Sequence, residues 1–345
     1  MFSKTYIINL LFFGLVLLLL VIFSEVFLRL LHPYNDTNPV LVEADQILPY
    51  KMVANTQTKS IDGVKILIDS YGLRDIKPET NKSDEIKTYL VLGDSTTYGY
   101  GVEASQTFVE RLQHARNEQK SNISSFINAG HSGFNLIDYA NLLNVLNEKI
   151  EYDFLIVGLM NNDYTNTSLN YIFKNGIGIT PGSLLDRHNV NAKLIKILRN
   201  SAIYLTVGNA IKGAKYNSSK PSIEKVSNNQ NILASVNNSL EKIKKLADTR
   251  HSPVFLVYLP TKIELLNAEV HYPNFNAAIK KFADTNSDVY YLDLSKQVML
   301  IDNVENIYFK TDWVHPNPAG HSIYCSEILK FINEYESNVS VSSEC

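Results

Sequence analysis

The chain has 345 residues, 32 of them basic and 35 acidic, for a formal net charge of −3. That length suffices for one large domain or two small ones with a sizeable core, and the near balance of charge gives no footing for nucleic acid. Two cysteines, Cys325 and Cys345, exclude a disulfide framework, and no Cys/His cluster has metal-ligand spacing.

From the amino end, Thr5 to Ser24 is uncharged and dominated by Leu, Ile, Phe and Val. About 20 apolar residues are what a helix needs to cross the hydrocarbon layer. A cleaved signal peptide would have a shorter apolar core ending in small residues. Here the run ends Ile22-Phe23-Ser24-Glu25-Val26-Phe27, with no Ala-x-Ala pattern, so an uncleaved anchor over residues 1–34 is expected. Lys4 on one side faces only Arg29 on the other, which leaves the orientation open. The helix is expected to continue to Leu31, lying in the interface, and to stop before Pro33.

Residues 35–86 read as an extension of the main domain. Within it Lys65–Asp75 alternates like an edge strand turning at Gly72, and 78–85 reads as a polar linker. From Lys87 an α/β rhythm begins: strand Tyr89–Leu92, a helix within Ser105–Gln119, strand Ile123–Ile127, a helix from Leu136, and strand Phe154–Val157. Residues 164–229 interrupt it, with one helical stretch near Ala192–Val207; they fit either a lid or substrate wall, or a surface loop. The rhythm resumes with helix Asn231–Ala247, strand Val254–Leu259, a helix after Pro273 and strand Val289–Leu292. Asn317 and Pro318 read as cap and first residue of a last helix reaching about Tyr335, before a disordered tail over 337–345. Short apolar runs alternating with helices imply a parallel sheet with right-handed crossovers.

In such a sheet the turns after the first three strands share one edge, bringing together Ser95, Gly133 and Asn162. Asp312 and His315 arrive on the last loop. Acyl transfer needs a nucleophile, a base and donors aimed at the developing oxyanion. Ser95 suits the first role and His315 the second, with Asp312 orienting the imidazole. Backbone N–H groups of Ser95 and Gly133 and the Asn162 amide suit the third. Asn161 and Gly130 stand as alternatives for the last two. His131, His321 and Asp94 are assigned structural roles.

The blocks Gly93-Asp94-Ser95, Asn128-Ala129-Gly130-His131-Ser132-Gly133, Asn161-Asn162-Asp163 and Asp312-Trp313-Val314-His315-Pro316 occur in the order of the SGNH/GDSL hydrolase superfamily, which the chain resembles from Lys87 to Tyr335. Ser70-Tyr71-Gly72-Leu73-Arg74-Asp75 also resembles a segment preceding the first block in membrane-anchored bacterial members. The resemblance implies a three-layer α/β/α domain over 87–336 with a flavodoxin-like parallel sheet. It also implies Ser95 as nucleophile, His315 and Asp312 completing a triad, Gly133 and Asn162 completing the oxyanion hole, and no metal or organic cofactor. Gly-x-Ser-x-Gly is absent around Ser95, against the α/β-hydrolase elbow. The expected function is a membrane-anchored serine esterase, with its catalytic domain periplasmic or extracellular, acting on ester-linked acyl groups such as O-acetyl groups of an envelope polysaccharide. A polysaccharide O-acyltransferase, a lysophospholipase or thioesterase, and a non-catalytic glycan-binding protein are the competing readings.

Overall fold

The computed structural model describes residues 4–31, 40–59, 63–74, 86–118, 124–164, 171–174, 177–179, 188, 190–199, 201–204, 206–208, 230–266, 273–310 and 312–343. The first helix, α1, runs Lys4–Leu31. Over Lys4–Leu30 it is long and apolar enough to cross a membrane, and its most apolar stretch is not buried in the protein. Two antiparallel pairs follow, β1 (Val42–Glu43) with β2 (Lys51–Met52) and β3 (Thr56–Lys59) with β4 (Lys65–Ile68). The alternation of Lys65–Ile68 thus builds a hairpin of its own, outside the main sheet.

The α/β unit starts with β5 (Lys87–Gly93), α2 (Ser95–Tyr98), α3 (Phe108–Glu118), β6 (Ser124–Gly130), α4 (Leu136–Leu146) and β7 (Phe154–Leu159). Then come the small pair β8 (Ile172–Lys174) and β9 (Ile177–Ile179), α5 (Ala192–Arg199), α6 (Gln230–Asp248), β10 (Val254–Tyr258), α7 (Lys262–Leu266) and α8 (Pro273–Thr285). Strand β11 (Val289–Asp293), α9 (Ser295–Met299) and α10 (Pro318–Ser343) complete the chain.

Five parallel strands form one sheet in the order β11-β10-β7-β5-β6. Numbered by appearance this is 2-1-3-4-5 read from the β6 edge, the flavodoxin-like winding, whose direction reverses between β5 and β7. Helices cover both faces because β5 alternates between two cores. Leu90 and Leu92 pack with Leu143 of α4, Leu240 of α6 and Ile279 of α8. Tyr89 and Val91 pack with Leu112 of α3 and Ile328 and Ile332 of α10. A strand buried on both sides reads as a continuous apolar run, as Tyr89–Leu92 does.

Several expectations need correction. Asn128, Ala129 and Gly130, taken as the turn after the second strand, lie inside β6 and pair with Val91, Leu92 and Gly93 of β5. The helical stretch near Ala192–Val207 is broken. Ser201 Oγ and the N–H groups of Ala202 and Ile203 donate to the Glu25 carboxylate of α1 at 2.9, 2.7 and 3.1 Å, which restarts a helix at Ala202. The last helix continues to Ser343, so residues 337–343 are helical rather than disordered. Glu336, beyond the end of the apolar stripe, is pinned by Arg116, Lys87 and Tyr89, and that carries the helix past Tyr335. Pro33, the linker 78–85, most of the 164–229 interruption and Cys345 lie outside the described residues.

Candidate active site

The Ser95 turn is built by close packing. Asp94 caps α2, its Oδ1 accepting from the Thr96 N–H at 2.8 Å, and Ser95 is the first residue of the helix. Glycines on three neighbouring strands let that short helix sit on the sheet edge: a Cβ on Gly93 or Gly158 would meet Thr97 Oγ1 at 2.0 or 2.5 Å, and one on Gly130 would meet Tyr98 N at 2.2 Å. From behind, the buried Arg74 donates to the carbonyls of Tyr98 (2.7 Å), Gly99 and Val102 (2.6 Å), and its guanidinium lies 4.7 Å from the Tyr98 ring centre. Arg74 therefore clamps the carboxyl end of α2, where orphan carbonyls favour a cation.

His315 brings the last loop to the same point. Its Nε2 lies 2.8 Å from Ser95 Oγ and its Nδ1 lies 2.6 Å from Asp312 Oδ2. The other Asp312 oxygen accepts from the N–H groups of Val314 (2.7 Å) and His315 (3.1 Å), which folds the loop into a tight turn. Burial opposes ionisation of Asp312. The charge and hydrogen bond of His315, with those two N–H groups, outweigh it and hold the carboxyl below its ordinary value. Tyr100 stacks on the imidazole, ring centres 4.5 Å apart at 26°.

The end of β7 supplies amides. Asn162 is exposed, and its Nδ2 lies 3.4 Å from Asp94 Oδ2, which in turn lies 3.3 Å from Ser95 Oγ. Asn161 turns the other way, its Nδ2 3.4 Å from Thr261 Oγ1 beyond β10. The geometry therefore sets Asn162, and not Asn161, beside Ser95. Burial raises Asp94, against the Thr96 N–H, His315, Asn162 and Ser95, all of which favour its charge. Asp163 is buried and accepts from the Met160 N–H (2.7 Å) and the Tyr139 hydroxyl (2.8 Å). Burial and the charge of Asp94 raise it well above its ordinary value.

Of the two candidate glycines, Gly130 is the last residue of β6 and donates its N–H to Asn128 Oδ1 at 3.0 Å. Gly133 is exposed, in a turn with φ +80°. His131 and His321 are buried and depressed, to about 4 and about 3, in both cases chiefly by burial. His321 Nδ1 accepts from the Phe108 N–H at 3.2 Å, which requires a neutral ring. Among the described residues, no group of three or more His, Cys, Asp or Glu side chains is arranged to hold a metal ion. Arg74 and Tyr100 were not singled out by sequence reasoning. Arg74 acts across 24 to 28 residues of chain, and only its place in the upstream segment hinted at a role.

Residues 91–323 match the model of the GDSL-like lipase/acylhydrolase family. The chain belongs to this family. As a GDSL/SGNH-type protein it is a hydrolase of ester bonds, with esterase or acylhydrolase activity. Solved structures with a similar fold include the psychrotrophic esterase EstA from Pseudoalteromonas sp., at 14% identity and a TM-score of 0.44, covering 73% of this chain and 99% of that one. A lipolytic G-D-S-L protein from Veillonella parvula DSM 2008 shares 16% identity with a TM-score of 0.41, over 71% of this chain and 97% of that one. The two-domain esterase CEX, described as active on acetylated mannans, shares 14% identity with a TM-score of 0.44, over 73% of this chain and 50% of that one. Comparison with curated proteins gave no match.

Proposed function

We propose that this hydrolase is a membrane-anchored serine esterase that removes acyl groups, O-acetyl groups above all, from an envelope polysaccharide on the periplasmic or extracellular side. The observation that carries the mechanism is the unbroken relay from Asp312 Oδ2 through His315 to Ser95 Oγ, with steps of 2.6 and 2.8 Å. Ser95 Oγ attacks the ester carbonyl carbon while its proton passes to His315 Nε2. Asp312 holds Nδ1–H in place and stabilises the imidazolium. The negative oxygen of the tetrahedral intermediate takes hydrogen bonds from the Ser95 and Gly133 N–H groups and the Asn162 amide.

As that intermediate collapses, the carbon–oxygen bond to the alcohol breaks and His315 returns its proton to the leaving oxygen. Water then repeats the sequence on the acyl-enzyme: His315 removes a water proton, the carbon–Oγ bond breaks, and the proton goes back to Ser95. The apolar α1 supports attachment to a membrane, and attachment together with family membership favours an envelope polymer.

The test is hydrolysis of p-nitrophenyl esters of increasing chain length, and acetate release from an O-acetylated polysaccharide, by the full chain and by Ser95→Ala. Loss of about 10⁶ in kcat is expected for Ser95→Ala. A fluorophosphonate should label the parent and not the variant. Retained turnover in Ser95→Ala would sink the mechanism. Acylated glycan, rather than free acid, when a sugar acceptor is supplied would make the enzyme a transferase.

A further inference from the structure

Glu25 is the first charge beyond the uncharged run Thr5 to Ser24, which rises about 30 Å as a helix, the thickness of a bilayer's hydrocarbon core. It therefore lies at the boundary with the headgroups, on the side of the α/β unit. A distant part of the chain is latched to it there. The Glu25 carboxylate that accepts from Ser201, Ala202 and Ile203 also accepts from Arg29 Nε at 2.9 Å, and Arg29 Nη2 lies 2.7 Å away. Leu28 packs beside it on the buried Ala202. These contacts hold residues 201–203 at the depth of the bilayer surface.

α1 and α5 flank a groove of about 750 Å³, a volume typical of ligand clefts. On the α1 side Ile22, Glu25, Val26 and Arg29 line it at the i, i+3, i+4 and i+7 spacing of one helical face, with Val21 beside them. Val21 and Ile22 belong to the uncharged run, and Arg29 lies about 10 Å farther out along the axis. That wall thus grades from hydrocarbon depth to headgroup depth. On the α5 side Lys193 and Ile197, one turn apart, face the same space. Helix α5 buries Ile195 completely and leaves Leu194 and Ile197 47% and 65% exposed. Beside a membrane span such residues meet lipid rather than water.

The bilayer decides the occupant, because a cleft walled by Val21 and Ile22 is filled from the hydrocarbon layer. A second protein helix would cover the apolar wall but give Arg29 and Lys193 no counter-charge. A phospholipid supplies both parts, an acyl chain for the wall and a phosphate for the two cations. At the rim the Arg29 side chain is 42% exposed and that of Glu25 22%, and Lys193 is exposed, so a headgroup meets mainly positive charge. We propose that this groove binds an anionic phospholipid, its acyl chain along Val21, Ile22 and Ile197 and its phosphate between Arg29 and Lys193. The proposal rests on the reading of α1 as a membrane anchor. Bound there, the lipid bridges the anchor to the segment latched on it.

The test reconstitutes the full chain in phosphatidylcholine vesicles carrying a trace of spin-labelled phosphatidylglycerol or spin-labelled phosphatidylcholine. Electron paramagnetic resonance should show the anionic lipid immobilised in preference to the zwitterionic one. Lys193→Gln should reduce that preference about fivefold, the effect of one cation at a lipid surface. Lys4→Gln, which removes a cation at the other end of α1, should leave it unchanged. Ile197→Trp, which crowds the apolar wall, should lower the immobilised fraction of the anionic lipid without any change of charge. Equal immobilisation of both lipids would overturn the site. So would a preference that survives Lys193→Gln, or one that Lys4→Gln lowers just as much, the mark of diffuse attraction to the surface. Failure of the anchor reading has a different signature, namely a full chain that does not float with the vesicles or is released by alkaline carbonate.

Discussion

At the amino end of β5, Glu336 accepts from Arg116 Nη2 with both oxygens (2.9 and 2.8 Å), from Tyr89 at 3.0 Å and from Lys87 at 3.3 Å. At its carboxyl end, Asp312 faces His315 Nδ1 at 2.6 Å, and His315 faces Ser95. Both carboxyls are held below their ordinary values by a basic partner, against the cost of burial. The partners make the difference. A guanidinium keeps its proton at every accessible pH, so the Arg116–Glu336 pair works as a strut tying α3 and α10 across the strand. An imidazole can both take up and release a proton, so in the proposed mechanism the Asp312–His315 pair passes one. One strand thus carries, about 20 Å apart, a fixed ion pair and, in the proposed mechanism, a proton-transferring one.

The largest effect should come from making the transferring pair unable to transfer. Asp312→Asn keeps the shape but presents an amide where a carboxylate selected the imidazole tautomer. It should lower kcat by about 10⁴. Steady-state kinetics, with thermal unfolding of the same samples, checks this. A loss below about tenfold would remove Asp312 from the relay.

The next effect concerns the amides at the end of β7. Asn162→Ala should cost a factor of about 10² to 10³ in kcat, as expected for one oxyanion donor. Asn161→Ala, whose amide turns toward Thr261, should cost far less on a small ester. An Asn161 loss as large as that of Asn162 would exchange their roles.

The fold and the facing groups of the site were legible in the sequence for one physical reason. A parallel strand buried on both faces is a run such as Tyr89–Leu92, and its carboxyl end is then marked by the residues that stop it. The same reading misplaced the end of β6. Asn128 looks like a turn residue, yet its side chain bonds backbone at Thr97 and Gly130 while the strand continues beneath it. Arg74 was illegible because its partners are carbonyl oxygens, which carry no sequence signature. Tyr100 was illegible because stacking on His315 joins positions far apart in the chain. The helical tail was missed because Glu336 is polar by composition, and its ion pair with Arg116 depends on helix packing that no local pattern encodes.

The smallest of these effects tests the strut. Arg116 is 4% exposed at its side chain and Glu336 16%, so Glu336→Gln leaves a nearly buried guanidinium without its counter-charge. Complete burial would put the loss at the upper end of the range for broken pairs. Partial exposure and the remaining bond to Asn333 (2.7 Å) lower it to about 2–3 kcal/mol at neutral pH. The pH dependence has a definite sign. Glu336 is depressed in the folded protein below its ordinary value of 4.5, so the unfolded chain binds more protons as the pH falls through that window. Its contribution is therefore present above pH 4.5 and lost on acidification through the folded value. Urea titrations at a series of pH values should show parent and variant far apart at pH 7 and converging below 4.5. Turnover of a small ester at 25 °C should stay within about twofold, because the strut is remote from Ser95. A gap that persists unchanged at acid pH would mean that Glu336 acts through packing rather than charge. A large loss of turnover would mean that the two ends of β5 are not independent.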